Sequence, residues 1–268
     1  MNLAKIWRQP LVTLNLGDHC LRAAELMKEL RIRHLPVVDQ EVPMGMVSDR
    51  DLLRAIGWWD NNPKHADTPI TDWAKRLPVS EVMSTPLVCL PPDASLHEVA
   101  RLMVNKKIGA VVIAGESRLR GILTETDCLQ CGKGDAPWQR KKVSDHMTAN
   151  IFRVSPDELI RSAWHLMRRK KIRHLVVMEN EILQGILSDR DLLAAITWNA
   201  AGPNGIPNHV RHIMTTQVAT IEPDASLAEA AERMLDWKIG ALPVTDRDYL
   251  AGIITETDLL QILVRETD

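Results

Sequence analysis

Four short stretches of this 268-residue chain place a hydroxyl and a carboxylate at one fixed spacing: residues 45–51 (GMVSDRD), 121–127 (GILTETD), 185–191 (GILSDRD) and 252–258 (GIITETD). Each reads glycine, two apolar residues, Ser or Thr, any two residues, Asp. A Ser or Thr that opens a helix can cap it, and the first N–H groups of that helix, with the positive end of its dipole, form an anion site. Ser48, Thr124, Ser188 and Thr255 are therefore candidates to stand beside phosphate. A carboxylate three residues on can accept both hydrogen bonds of a vicinal diol, as the acidic residue of dinucleotide-binding folds does for ribose. Asp51, Asp127, Asp191 and Asp258 fit that part. The competing account is a capping box, in which both side chains serve only the helix terminus. Such a box prefers Glu or Gln at its last position, whereas all four stretches carry Asp, which favours the ligand reading.

Phosphate needs cations, and these gather in the first and third stretches: Arg33, His34 and Arg50, then Arg173, His174 and Arg190. The second and fourth carry Gly-Ala where the others carry Arg-His, so the sites are expected to be unequal. Arg31, Lys170 and Lys171 stand at the end of a helix and are expected to complement its dipole in solvent. His34 and His174 would make binding sensitive to pH near their reference pKa of about 6.5.

The elements that position these groups repeat. Met27, Met103, Met167 and Met234 each lie 21 residues before the motif Ser or Thr, and Ile32, Ile108, Ile172 and Ile239 keep the same register without gaps. Upstream, VSEVMS from Val79, VSDHMT from Val143 and VRHIMT from Val210 are in register too, while the first copy has Trp7 where the others have Met. Leu227, Ala230, Ala231 and Met234 show the i, i+3, i+4, i+7 spacing of an amphipathic helix. Short apolar runs at 35–38 and 44–47, parted by a turn at 39–43, predict a hairpin before the helix that the motif opens.

One copy thus reads β-α-β-β-α, an α/β (α+β) unit whose three-stranded sheet is too small to bury a core alone, so neighbouring copies are expected to pack in pairs. Copies one and three share IRHL and SDRD and copies two and four share KIGA and TETD, an alternation that duplication of an already paired unit would leave. The expected divisions are 1–66, 67–135, 136–204 and 205–268, paired as 1–135 and 136–268, with polar linkers at 60–71, 132–142 and 200–208.

The SerThr-x-x-Asp motif behind its Gly-led strand, the entry VxxxM[ST] and the Ile-x-x-Leu-Pro-Val hairpin strand resemble CBS domains, the repeats named after cystathionine β-synthase, over nearly the whole chain. The resemblance implies two Bateman modules that bind adenosyl ligands in clefts between paired repeats and regulate a partner rather than catalyse. It assigns ribose to the four motif Asp residues, and phosphate to the motif hydroxyls and to Arg33, His34, Arg50, Arg173, His174 and Arg190. It lines adenine with Ile108, Gly109, Ala110, Ile239, Gly240 and Ala241. AMP, ADP or ATP, with or without Mg, is the expected ligand class. S-adenosylmethionine, NAD or a cyclic dinucleotide is the alternative, as is an interaction module with vestigial sites. With the chain ending at Asp268, shortly after the last helix, the output is expected to be a separate effector protein, and a homodimer is expected beyond the internal pairing.

A net charge of -2 gives no basic field for nucleic acid or an anionic membrane, and the lack of an apolar span or signal peptide predicts a cytoplasmic protein. Cys20, Cys89, Cys128 and Cys131 lack framework spacing and read as reduced thiols. The CLQC pair lies beyond a helix start and has no second CxxC to complete a zinc site. His146 and His212 occupy nonequivalent repeat positions, which argues against a metal site. No Walker loop or GxSxG appears, so no enzyme is expected. The eight tryptophans, against one Tyr and one Phe, have no functional account.

Overall fold

A computed structural model describes residues 7, 11–55, 74–115, 118–132, 138–199, 208–247 and 249–265. The linker at 60–71 lies outside these, as do residues 133–137 and 200–207 of the other two. The first copy runs β1 (Leu14–Asn15), α1 (Cys20–Leu30), β2 (His34–Asp39), β3 (Val42–Ser48) and α2 (Asp49–Ala55). The second runs β4 (Cys89–Leu90), α3 (Leu96–Lys106), β5 (Ala110–Gly115), β6 (Arg118–Thr124) and α4 (Glu125–Cys131). The third runs β7 (Arg153–Val154), α5 (Ile160–Lys170), β8 (His174–Glu179), β9 (Ile182–Ser188) and α6 (Asp189–Asn199). The fourth has α7 (Leu227–Trp237), β10 (Ala241–Asp246), β11 (Tyr249–Thr255) and α8 (Glu256–Arg265).

In the first three copies a short strand pairs parallel with the first hairpin strand, and the hairpin is antiparallel. The fourth copy departs from the expected β-α-β-β-α: its leading strand shrinks to a single parallel bridge, Ile221 to Val244. Among the described residues no helix is long and apolar enough to cross a membrane.

The recurrent Met and Ile have a structural cause. Each copy's first helix ends on a residue in the left-handed region, Arg31, Lys107, Lys171 or Lys238, with φ of 54 to 56°. The next residue's N–H returns to the Met carbonyl: Ile32 to Met27 at 3.0 Å, Ile108 to Met103 at 3.1 Å, Ile172 to Met167 at 3.1 Å and Ile239 to Met234 at 3.0 Å. That six-to-one bond reverses the chain and delivers it into the hairpin.

Tandem neighbours are held together by an exchange. The entry segment ahead of the second copy lies on the first: Ser84 and Met46 trade backbone hydrogen bonds at 2.8 and 3.2 Å. Thr215 pairs in the same way with Ile186, and Thr148 with Ile253, each at 2.9 and 3.0 Å. In each case the entry methionine covers the motif glycine, so a Cβ on Gly45 would come 2.6 Å from Met83 Sδ, and one on Gly252 2.5 Å from Met147 Sδ. Trp7 occupies the corresponding place over Gly121, where a Cβ would meet its ring at 2.5 Å. The bulky exception in the sequence fills the methionine's role.

Tandem neighbours complete one another's hydrophobic core only in a small cluster, where Val176 and Met178 of copy three meet Ala241 and Ile253 of copy four; the two large cores run otherwise. One large core joins copies one and three, with Leu35, Leu52, Leu175 and Leu192 at its centre. The other joins copies two and four through Met103, Leu129, Met234 and Leu259. Helices α3 and α4 pack on α8, and α1 and α2 on α6. The apolar helix faces therefore meet across the two modules, while β3 with β6 and β9 with β11 meet within them. The four copies close into a ring in which sheet contacts and helix contacts alternate.

Candidate functional site

All four motifs form the same local structure at the strand-to-helix turn. The hydroxyl donates to the motif carboxylate at 2.6 Å from Ser48 to Asp51, from Thr124 to Asp127 and from Ser188 to Asp191, and at 2.7 Å from Thr255 to Asp258. The backbone N–H of the same hydroxyl residue donates to the same Oδ2 at 2.7 to 2.9 Å. The Asp N–H returns to the hydroxyl oxygen at 3.3 to 3.4 Å. This is a reciprocal capping box, so the preference for Glu or Gln did not exclude it: Asp closes the box because its carboxylate lies close enough to reach the N-cap N–H directly. One carboxylate oxygen is thereby committed. In Asp191 and Asp258 burial lifts the carboxyl above its usual range, against the hydrogen bonds from Ser188 and Thr255 that hold it down.

The motifs face two cavities, each spanning both modules. The first, of about 630 Å³, brings Ser188 and Asp191 of the third copy together with Ile239, Gly240 and Ala241 of the fourth, and also reaches Asp127. The second, of about 610 Å³, brings Ser48 and Asp51 together with Ile108, Gly109 and Ala110, and reaches Thr255 and Asp258 from the other module. Thr124 is the one motif hydroxyl that lines neither. The exchanged entry segments complete the walls through Ser84 and Thr148 in the second cavity and Thr215 in the first. Ser84 also donates to Asp51 Oδ1 at 3.3 Å. A Ser or Thr follows the entry methionine in three copies, a recurrence visible in sequence but not recognised there as part of the site.

The basic residues converge where the copies meet, and Arg33, Arg50 and Arg173 there already hold carboxylates. Arg33 bonds Glu256 at 2.8 Å and Arg173 bonds Glu125 at 2.6 Å, each joining one module to the other. Thr126 donates to Glu256 at 2.6 Å and Thr257 to Glu125 at 2.8 Å, so the two arrangements are related by an approximate twofold. Arg50 bonds Asp189 at 2.9 Å. Burial opposes charge on Arg33, but Glu256, Asp49 and Glu125 overcome it and hold the guanidinium protonated beyond its usual range. Glu125 is likewise pushed up by burial and brought below the usual carboxylate range by Arg173 and Arg33.

The acidic partners are residues the sequence reading passed over. Asp49, Glu125, Asp189 and Glu256 follow the motif hydroxyl in all four copies, and all are buried. Asp189 stands apart: burial and the neighbouring Asp49 raise its carboxyl to about 7 against the pull of Arg50. Its Oδ1 has no hydrogen-bond partner.

His34 and His174 line the cavities but do not titrate as expected from sequence. Burial lowers His34 to about 4, and burial with Arg173 and Arg33 nearby lowers His174 well below its usual value. Both rings are neutral at physiological pH. The thiols are free, and burial pushes Cys20 up to about 12 and Cys131 to about 11. Among the described residues no group of His, Cys, Asp and Glu could hold a metal ion.

Four segments of the chain, 7–57, 79–134, 143–197 and 210–265, match the model of the CBS domain. The chain belongs to the CBS domain family. Its four CBS repeats coincide with the four copies described above. An uncharacterised protein of Methanocaldococcus jannaschii, MJ1225, is 27% identical over 90% of this chain and 90% of its own length. A 33.4 kDa protein from a ribosomal RNA operon of Thermofilum pendens is 29% identical over 96% of this chain and 89% of its own. The crystal structure of MJ1225, described as a candidate archaeal homologue of γ-AMPK, superposes with a TM-score of 0.83 at 24% identity, covering 97% of this chain and 99% of that one. The fold is therefore that of a four-repeat CBS protein.

Proposed function

We propose that this protein binds adenine nucleotides of the AMP, ADP and ATP class between tandem CBS repeats, and regulates a partner protein without transforming the ligand. The observation that carries the reading is the shared wall of each cavity. Motif Ser188 and Asp191 oppose Ile239 to Ala241 in one, and Ser48 and Asp51 oppose Ile108 to Ala110 in the other. Hydroxyl, helix N-terminus and carboxylate come from one repeat, and a small apolar strand suited to a flat base comes from the other. The motif Asp residues are assigned to ribose, and the motif hydroxyls with the central arginines to phosphate. Membership of the CBS domain family supports the regulatory reading.

The output follows from the ion pairs that join the modules 1–135 and 136–268. A phosphate that draws Arg33 or Arg173 away from Glu256 or Glu125 changes the contact between modules, and so the surface offered to an effector. Cytoplasmic location, homodimerisation and a Mg ion beside the phosphates belong to the same proposal. The closed capping boxes favour a second reading, in which the clefts are vestigial and the protein is an interaction module.

A thermal-shift panel of AMP, ADP, ATP, S-adenosylmethionine and NAD separates the two. A ligand at one hundred times its dissociation constant adds about 2.7 kcal/mol, roughly 5–10 °C in Tm for a chain of this size. A flat panel would sink the nucleotide reading. Mass spectrometry of any copurifying ligand names the nucleotide directly.

A further inference from the structure

The mouths of the two cavities differ in charge. The C-terminal ends of α3 and α5 converge on the cavity of about 610 Å³, where Lys107 and Lys171 line the wall. The ends of α1 and α7 converge on the cavity of about 630 Å³ through Arg31 and Lys238. Counted with the residue that follows each helix, α3 and α5 carry eight Arg or Lys against one acid, Glu98, whereas α1 and α7 carry five of each sign. The contrast is plain at the last helical residue: Lys106 and Lys170 stand where α1 and α7 have Leu30 and Trp237.

The helix dipole accounts for only part of this. A cation just past the helix end complements the dipole in all four repeats, as Arg31, Lys107, Lys171 and Lys238. The excess is confined to α3 and α5, as Lys106 on one and Arg168, Arg169 and Lys170 on the other, all exposed. Lys170 Nζ lies 4.7 Å from the ring centre of Phe152, which itself lines the cavity, so that charge is held at the rim. The acids of the same cavity, Asp49, Asp51, Glu125 and Asp258, lie in the first turns of α2, α4 and α8 and are buried or half-buried. The outward charge at this mouth is therefore basic, in a chain whose net charge is -2. Because α3 belongs to 1–135 and α5 to 136–268, the basic rim straddles the joint between the modules.

We infer that this rim is a docking surface for an acidic segment of a partner protein, which bridges the modules by holding Lys106 and Lys107 on one side and Arg168 to Lys171 on the other. The inference rests on the regulatory half of the reading above and supplies the partner's chemistry. A single-stranded nucleic acid stacks its bases on exposed aromatic rings; among the described residues these are Trp237 and Tyr249, and neither lines this cavity. An anionic bilayer is held firmly only when an apolar anchor stands beside the cations, and none of the exposed large apolar side chains lies at the ends of α3 and α5. An extended segment rich in Asp and Glu needs only complementary charge. Seated there, it touches both modules at once, so it binds best to one relative orientation of them and reads a change in that orientation.

The test is fluorescence anisotropy on the full chain with a labelled polyglutamate peptide, beside single-stranded oligothymidine of equal charge and vesicles containing phosphatidylserine. The peptide binds the unaltered protein more tightly than either. Lys106→Glu with Arg169→Glu weakens peptide binding by roughly tenfold or more, because each reversal turns an attraction into a repulsion. Arg22→Glu with Lys28→Glu on α1, an equal change in net charge at exposed positions, leaves it nearly unchanged. Absence of peptide binding, an equal loss in the two double variants, or tighter binding of the oligothymidine or the vesicles overturns the inference. The nucleotide thermal-shift panel on the same samples keeps the readings apart. A shift with AMP or ATP and no peptide binding sinks the docking surface alone, while a flat panel with peptide binding sinks the nucleotide reading alone.

Discussion

Replacing Arg33 with alanine tests whether the two modules are bolted together by charge. Arg33 Nη2 sits 2.8 Å from Glu256 Oε2, with the side chains only 15% and 3% exposed. At that separation the direct attraction is about 6 kcal/mol at an effective dielectric of about 20, before desolvation is subtracted. Removing one partner of a buried pair leaves the other charge stranded, which costs about 3–5 kcal/mol. The hydroxyl of Thr126, which donates to Glu256 Oε1 at 2.6 Å, remains in place and puts the expected loss near the lower end of that range. With about 2–4 °C of Tm per kcal/mol for chains of this size, Arg33→Ala should melt roughly 6–12 °C lower in a calorimetric scan. Glu256→Ala and the double variant complete a cycle. The double variant should be milder than the sum of the single ones by about 1–3 kcal/mol, because it strands no charge. A loss under about 1 kcal/mol for Arg33→Ala, or strictly additive singles, would show that the pair does not hold the modules together.

Two further outcomes follow from the same geometry. Asp189 keeps its proton to about 7 in the folded state and releases it near the ordinary carboxylate value when unfolded, so the folded state binds more protons between those values. Stability should therefore fall as pH rises through that window, and urea titrations from pH 5 to 8 on Asp189→Asn should show a flatter profile; parallel profiles would refute the assignment. Gly185→Ala puts a Cβ 2.9 Å from both Met214 Sδ and the Thr215 carbonyl oxygen, and should cost about 1–3 kcal/mol in chemical denaturation. Gly17→Ala, with nothing within 4 Å of its Cβ, is the control, and an equal loss at the two positions would refute the packing account.

The local architecture was legible in the sequence because it is written in short-range patterns. The Met and Ile register marks the helix end and chain reversal, the apolar runs mark the hairpin, and the hydroxyl marks the N-cap of the next helix. What stayed hidden was contact across repeats, which no periodicity encodes. Helix faces that are apolar in all four repeats do not say which repeat they meet, and they pair one with three and two with four. The acid after each motif hydroxyl recurs in plain view, yet its meaning depends on arginines more than forty positions away, such as Arg173 opposite Glu125. His34 read as a pH-sensitive group from its reference pKa alone, and burial in the ring removes that property.

The exchange of entry segments bears on the ancestry of the chain. A single CBS repeat cut from this protein would lack the entry segment its neighbour lends it, and would expose the groove over its motif glycine. The smallest part that can be copied whole is therefore the interlocked pair. That is the piece whose doubling leaves IRHL and SDRD alternating with KIGA and TETD along the sequence.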